Sequence, residues 1–140
     1  MNKITISDFR EIGEILDCIH DRWFNKEDIF FNPQLSYLEI RFQKENLSSK
    51  RLVKRILFLK KYKVQIVESK LRINSVINYK IEDKANIGGS DFNEIKYDKE
   101  KNRVIITCGV PFEIQIDVEN FRIELEDTGN ILKEKEYWSL

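Results

Sequence analysis

His20 is the only histidine in this chain of 140 residues, and it stands among Asp17, Cys18 and Asp21. An imidazole beside carboxylates can serve as a base or share a metal ion, and on a helix Asp17 and His20, three apart, fall on one face. The set stops there. No HxH, HExxH or cysteine pair supplies further metal ligands, no GxSxG elbow is present, and Cys18 lies two residues from His20, on another helix face. A small hydrolase or metal-binding protein using His20 with Asp17 and Asp21 is therefore the weaker reading. The stronger is a histidine flanking a buried stripe and hydrogen-bonded at a helix end. Gly88-Gly89 lacks the Lys and Ser/Thr of a phosphate-cradling loop, so no cofactor is expected.

A second group with chemical potential is the basic run Lys50, Arg51, Lys54, Arg55, Lys60, Lys61 and Lys63, which has no acidic residue from Asn46 to Val67 and includes Phe58 and Tyr62. Cations interleaved with aromatics suit phosphate contact and base stacking. Against nucleic acid, Lys plus Arg equal Asp plus Glu at 24 each, and no RRM, KH or helix-turn-helix pattern appears. The acidic run Asp117 to Asp127 offers partners that would neutralise the segment across a sheet. A solvated face is the favoured reading, with nucleic-acid binding through residues 50–63 as the alternative.

These residues need elements to position them. Phe9, Ile12, Leu16, Ile19 and Trp23 recur at three- and four-residue intervals, which predicts an amphipathic helix over Ser7 to Phe24, with Ser7 as N-cap and Asp8 and Glu11 in the first turn. Gly13 inside it costs roughly 1 kcal/mol relative to Ala, which suggests a strand crossing close by. Ile29 to Phe31, a turn at Asn32-Pro33, and the alternation of Leu38, Ile40 and Phe42 with polar residues predict a hairpin. Asn46 to Lys63 reads as helix or strand, with strand favoured at Arg55 to Lys60. Tyr62 to Asp83 reads as one long bent strand, or two joined by a bulge near Glu68 to Lys70.

A turn is expected at Asn86 to Ser90. Phe92 to Tyr97, Arg103 to Cys108, Phe112 to Val118 and Phe121 to Glu126 then alternate as four successive strands separated by DKEKN, GVP and EN, a meander. Thr128-Gly129-Asn130 is read as the end of the sheet and Ile131 to Leu140 as a charged tail. A pattern I-x-[FY]-[ND]-x5-[LV]-x-I occurs at Ile29, Phe31, Asn32, Leu38, Ile40 and again at Ile95, Tyr97, Asp98, Val104, Ile106. Convergence on hairpin chemistry, with Asn or Asp opening the turn, is favoured over duplication.

The expectation is an α+β chain, mainly antiparallel β, whose N-terminal amphipathic helix covers a curved sheet, sandwich or partly open barrel. Residues 1–130 form the β-rich domain. Cys18 and Cys108, with no CxxC spacing and no secretory signal, read as reduced core thiols and a cytoplasmic setting. No apolar run approaches the roughly 20 residues of a membrane span, and no membrane partner is expected. By elimination, a non-enzymatic protein-interaction module is favoured, with a protein partner or a homodimer through a sheet edge, and 34% charged residues of mixed sign suit such an interface. The exposed helix end at His20, Arg22 and Trp23 is a second candidate binding surface.

Overall fold

The computed structural model describes residues 3–109 and 111–140. Its order is β1 (Lys3–Ile6), a 3-10 turn (Phe9–Glu11), α1 (Ile12–Ile19), β2 (Trp23–Asn25), a second 3-10 turn (Lys26–Asp28), β3 (Ile29–Asn32), β4 (Tyr37–Ile56) and β5 (Leu59–Ile73). There follow β6 (Val76–Asp83), β7 (Gly89–Asp98), β8 (Arg103–Cys108), β9 (Phe112–Val118) and β10 (Ile123–Ser139). The fold is α+β and mainly antiparallel β. One sheet has the order β1-β10-β5-β4-β3, the other β2-β7-β8-β9-β6.

Period-two alternation builds the core. In β9, Phe112, Ile114, Ile116 and Val118 are all at most 2% exposed while Glu113, Gln115 and Asp117 face outward. Leu38, Ile40 and Phe42 of β4 and Leu71 and Ile73 of β5 supply the facing layer. Phe42 from one sheet packs edge-on to Phe92 of the other, with ring centroids 5.3 Å apart, and Phe92 meets Phe24 at 4.6 Å.

The two hairpins that share a sequence pattern also share a register. Ile29 pairs with Ile40 and Phe31 with Leu38, as Ile95 pairs with Ile106 and Tyr97 with Val104. In the first turn Leu35 N donates to Asn32 Oδ1 (2.9 Å), and in the second Lys101 N donates to Asp98 Oδ1 (3.3 Å). Both turns close on a residue with positive φ, Ser36 at 55° and Asn102 at 49°. The likeness extends to whole sheets, because β3-β4-β5-β10 in one matches β7-β8-β9-β6 in the other. Leaving aside β1 and β2, the four-strand units β3–β6 and β7–β10 each contribute three strands to their own sheet and lend the fourth to the other, which is more than hairpin chemistry alone requires.

Several expectations change. The helix is shorter than Ser7 to Phe24: Asp8, not Ser7, caps the opening 3-10 turn by accepting from Arg10 N (2.9 Å), and α1 stops at Ile19 because His20 turns extended and Asp21 takes a φ of 65°. Ile15 and Ile19 are its buried residues, and Trp23, half exposed, belongs to β2. Among the described residues outside its own helical turn, nothing lies within 4 Å of where a Cβ on Gly13 would stand, so no strand crosses close to it. The favoured strand Arg55 to Lys60 contains a turn at its centre. The break between the next two strands lies at Asn74-Ser75, where Ser75 has φ 55°, and β5 and β6 then enter different sheets. The meander holds for β7-β8-β9, but β10 crosses to the first sheet. Thr128-Gly129-Asn130 forms a bulge, with Gly129 at φ 87°, and the expected tail is the far half of β10. The GVP separator includes Val110, which lies outside the described residues.

Both cysteines are free, but only Cys108 is in the core; Cys18 is exposed. Burial pushes the Cys108 thiol up to about 12, with Asp91 and Glu113 adding to the shift. At about pH 8, an aromatic disulfide reagent should therefore modify one thiol of the native chain rapidly and the second only in denaturant. Two rapid equivalents would show Cys108 to be reachable.

Candidate interaction surface

The equivalence of the two halves isolates one feature. In the second half Thr107 pairs with Glu113 and the strands turn within the next few residues; at the matching level of the first half Arg41 pairs with Lys70, and β4 and β5 run on to Ile56 and Leu59. The far half of β10 follows them, from Ile131 opposite Val67 to Ser139 opposite Lys60. The result is a three-stranded arm, with β5 in the middle, extending roughly 25 Å at about 3.4 Å per residue.

In the central strand β5, Tyr62, Val64 and Ile66 stand at alternate positions and favour extended structure, and bulges in β4 and β10 shape the base of the arm. Between Asn46 and Arg51 of β4 the register shifts, and Ser49 Oγ takes a strand's place by accepting from Gln65 N (2.9 Å). Val64 and Ile66 are buried there, apart from the main core.

All seven residues of the basic run lie on this arm, but not as one patch. On one face Lys61 pairs with Glu136 (2.8 Å), Lys63 with Glu134 (2.6 Å) and Arg51 with Glu134 (3.8 Å). The Lys61 ammonium holds the Glu136 carboxyl below the usual carboxylate range. The neutralising carboxylates therefore come from Glu134 and Glu136, in the segment read as a tail, and not from the run Asp117 to Asp127. Tyr62 stacks with Tyr137 on the opposite face, and Lys50 Nζ sits 4.5 Å from the Tyr62 ring centre. Lys54, Arg55 and Lys60, nearest the end of the arm, make no ion pair among the described residues.

The end of the arm is apolar. Ile56 pairs with Leu59, so Leu57 and Phe58 form a two-residue loop and are 88% and 86% exposed. Leu57 has φ 52° and Phe58 does not share it, the pattern of a type II′ turn, whose first position favours glycine. A left-handed leucine costs about 1–2 kcal/mol, and at this exposure packing returns little of it.

The helix-end candidates sit at the root of the arm. Arg22 and Trp23 line a cleft of about 570 Å³ together with Lys44, Glu45 and Ile66. Arg22 and Lys44 also border a second cleft of about 690 Å³, with Cys18 and Asp17. His20 is half exposed and its Nδ1 lies 3.2 Å from Asp21 Oδ2. No hydrogen bond or ion pair joins His20 to Asp17 among the described residues, since His20 lies past the last helical residue. Among the described residues no group of three His, Cys, Asp or Glu is placed to hold a metal ion. No helix among the described residues is long and apolar enough to cross a membrane.

Sequence reasoning found the basic run but missed the tip, because Leu57-Phe58 contains no residue that signals a turn. It also missed Glu134 and Glu136 as partners; the alternation in Ile131 to Trp138 was the available signal. No protein-family model, no curated protein and no solved structure matches the chain.

Proposed function

We propose that this chain is a non-enzymatic interaction module that engages its partner through the arm formed by β4, β5 and β10. The observation that carries the reading is the asymmetry between the two matched halves. One hairpin closes at once and serves the core; the other also serves the core at its base but runs far beyond it, in an extension that adds nothing to the central apolar cluster and ends in exposed leucine and phenylalanine. Large exposed apolar groups at the end of a projecting element mark contact sites. The root of the arm, with Arg22 and Trp23 beside Lys44 and Glu45, extends the surface a partner can reach.

The free edge of β10 favours a partner other than a second copy. In a two-fold antiparallel pairing, a residue meets only residues of its own face. Lys133 and Lys135 lie on one face with Ile66 and Val64, and Glu134 and Glu136 on the other. Symmetric pairing would set lysine against lysine and glutamate against glutamate, which is destabilising.

The test compares the intact chain with one in which Asn46 is joined to Gln65 through Asn-Gly and the chain ends at Asn130. In lysate from the producing cell, photo-cross-linking should give species with the intact chain that the shortened chain loses, while its thermal transition stays cooperative. The same species captured by both chains would refute the reading.

A further inference from the structure

The end of the arm is graded along its axis. First come Leu57 and Phe58, flanked by Ile56 and Leu59; next, two rungs of facing cations, Arg55 opposite Lys60 and Lys54 opposite Lys61; then aromatic groups, Trp138 level with Lys61 and Tyr137 level with Tyr62. Of the four cations only Lys61 has a carboxylate, Glu136, among the described residues. A turn that holds leucine in a left-handed conformation, where glycine or asparagine would relieve the backbone and keep the end soluble, is poorly explained by the fold.

Resting on the reading of the arm as the binding element, we infer that its tip docks onto an anionic lipid surface, with Leu57 and Phe58 entering the acyl boundary and Lys54, Arg55 and Lys60 meeting the headgroup phosphates. The grading matches such a surface: an apolar interior, then the headgroup level, where anionic phosphates meet the cations and where an aromatic such as Trp138, level with Lys54 and Lys61, is also preferred. The dimensions agree as well. Two rungs beyond the cations carry the tip roughly 7 Å forward, within the 5–10 Å to which peripheral elements bury their apolar groups. The sequence argument against a membrane partner concerned a spanning segment, and surface docking needs none. Nucleic acid would use the same cations, but Leu57 offers no planar face for a base and occupies half of the loop.

The experiment is co-sedimentation with vesicles of phosphatidylcholine alone or with about 30% phosphatidylserine, at about 0.1 M salt. The intact chain is expected to partition to anionic vesicles at least about tenfold more than to neutral ones. Leu57→Asn/Phe58→Gly, which installs a favoured hairpin turn, should lose at least about tenfold. Lys54→Gln/Arg55→Gln/Lys60→Gln leaves the turn untouched and should lose more than tenfold and most of the salt dependence. Vesicle binding unchanged in the turn variant, or equal on neutral and anionic vesicles, would overturn the inference. So would tight binding of a DNA duplex by a chain that ignores vesicles. If vesicles are ignored while the shortened chain still loses its cross-linked species, the lipid assignment fails and the arm reading stands; if nothing depends on the arm, both fail.

Discussion

Phe92→Ala is expected to lower stability by about 4 kcal/mol in urea denaturation, within the range of buried phenylalanine truncations. Phe92 is completely buried and touches two rings, Phe24 beside it in the same sheet and Phe42 from the opposite sheet. Its backbone also anchors the helix end, since Asp21 N donates to Phe92 O (2.9 Å) and Phe92 N to Arg22 O (3.1 Å). Truncation leaves a cavity that these neighbours, each held by its own strand, cannot fill. Phe58→Ala is the matched control. The same atoms are removed from a side chain 86% exposed, and the change should stay within about 0.5 kcal/mol. A loss below about 1 kcal/mol for Phe92→Ala would mean that the two sheets do not meet through this residue.

The second large effect is electrostatic. Glu39 lies on the outer side of the first sheet yet is only 3% exposed, gripped by Arg72 (2.8 Å) and Arg41 (3.1 Å), with the Arg72 guanidinium 3.9 Å from the Tyr37 ring centre. Burial alone would raise the carboxyl's pKa; the two guanidinium groups outweigh it and hold the carboxyl below the ordinary range. Glu39→Ala should cost about 3 kcal/mol, because Arg72, itself mostly buried, loses its partner. The sign of the pH effect follows from the depressed pKa. The stabilisation is present above the unfolded carboxyl's pKa of about 4.3 and is lost as pH falls through the lower folded value. Wild type should therefore shed this contribution below about pH 4, and Glu39→Gln, which cannot titrate, should lack that part of the acid limb. A cost under about 1 kcal/mol for Glu39→Ala would place the cluster with ordinary surface pairs.

Much of the architecture was legible in the residues because period-two alternation is a local signal. The hairpin from Ile29 to Phe42 and the strands of Phe92 to Val118 follow directly from it. Other features depended on what local pattern does not encode. The helix was overread because Trp23 sits at a helical spacing from Ile19, yet a left-handed Asp21 intervenes. The turn at Leu57-Phe58 has no glycine, proline or asparagine to announce it. Gly129 reads as a stop in the sequence but opens a bulge in the structure, and beyond it the segment carrying Glu134 and Glu136 returns to the lysines it pairs with. For the candidate surface, the cations were visible, but their division into a neutralised face and an unpaired end required the register.

The exchange of fourth strands between the two halves sets an order of events when the chain acquires its structure. Ser69 of β5 bonds to Asp127 of β10 across 58 residues, and no nearer segment takes that place. Until β10 exists, β5 has an open apolar edge at Leu71 and Ile73, and the finished first half must wait for the second. Pairings over such separations form slowly. The same interlock that makes each half indispensable to the other therefore lengthens the interval during which a newly made chain is vulnerable to association.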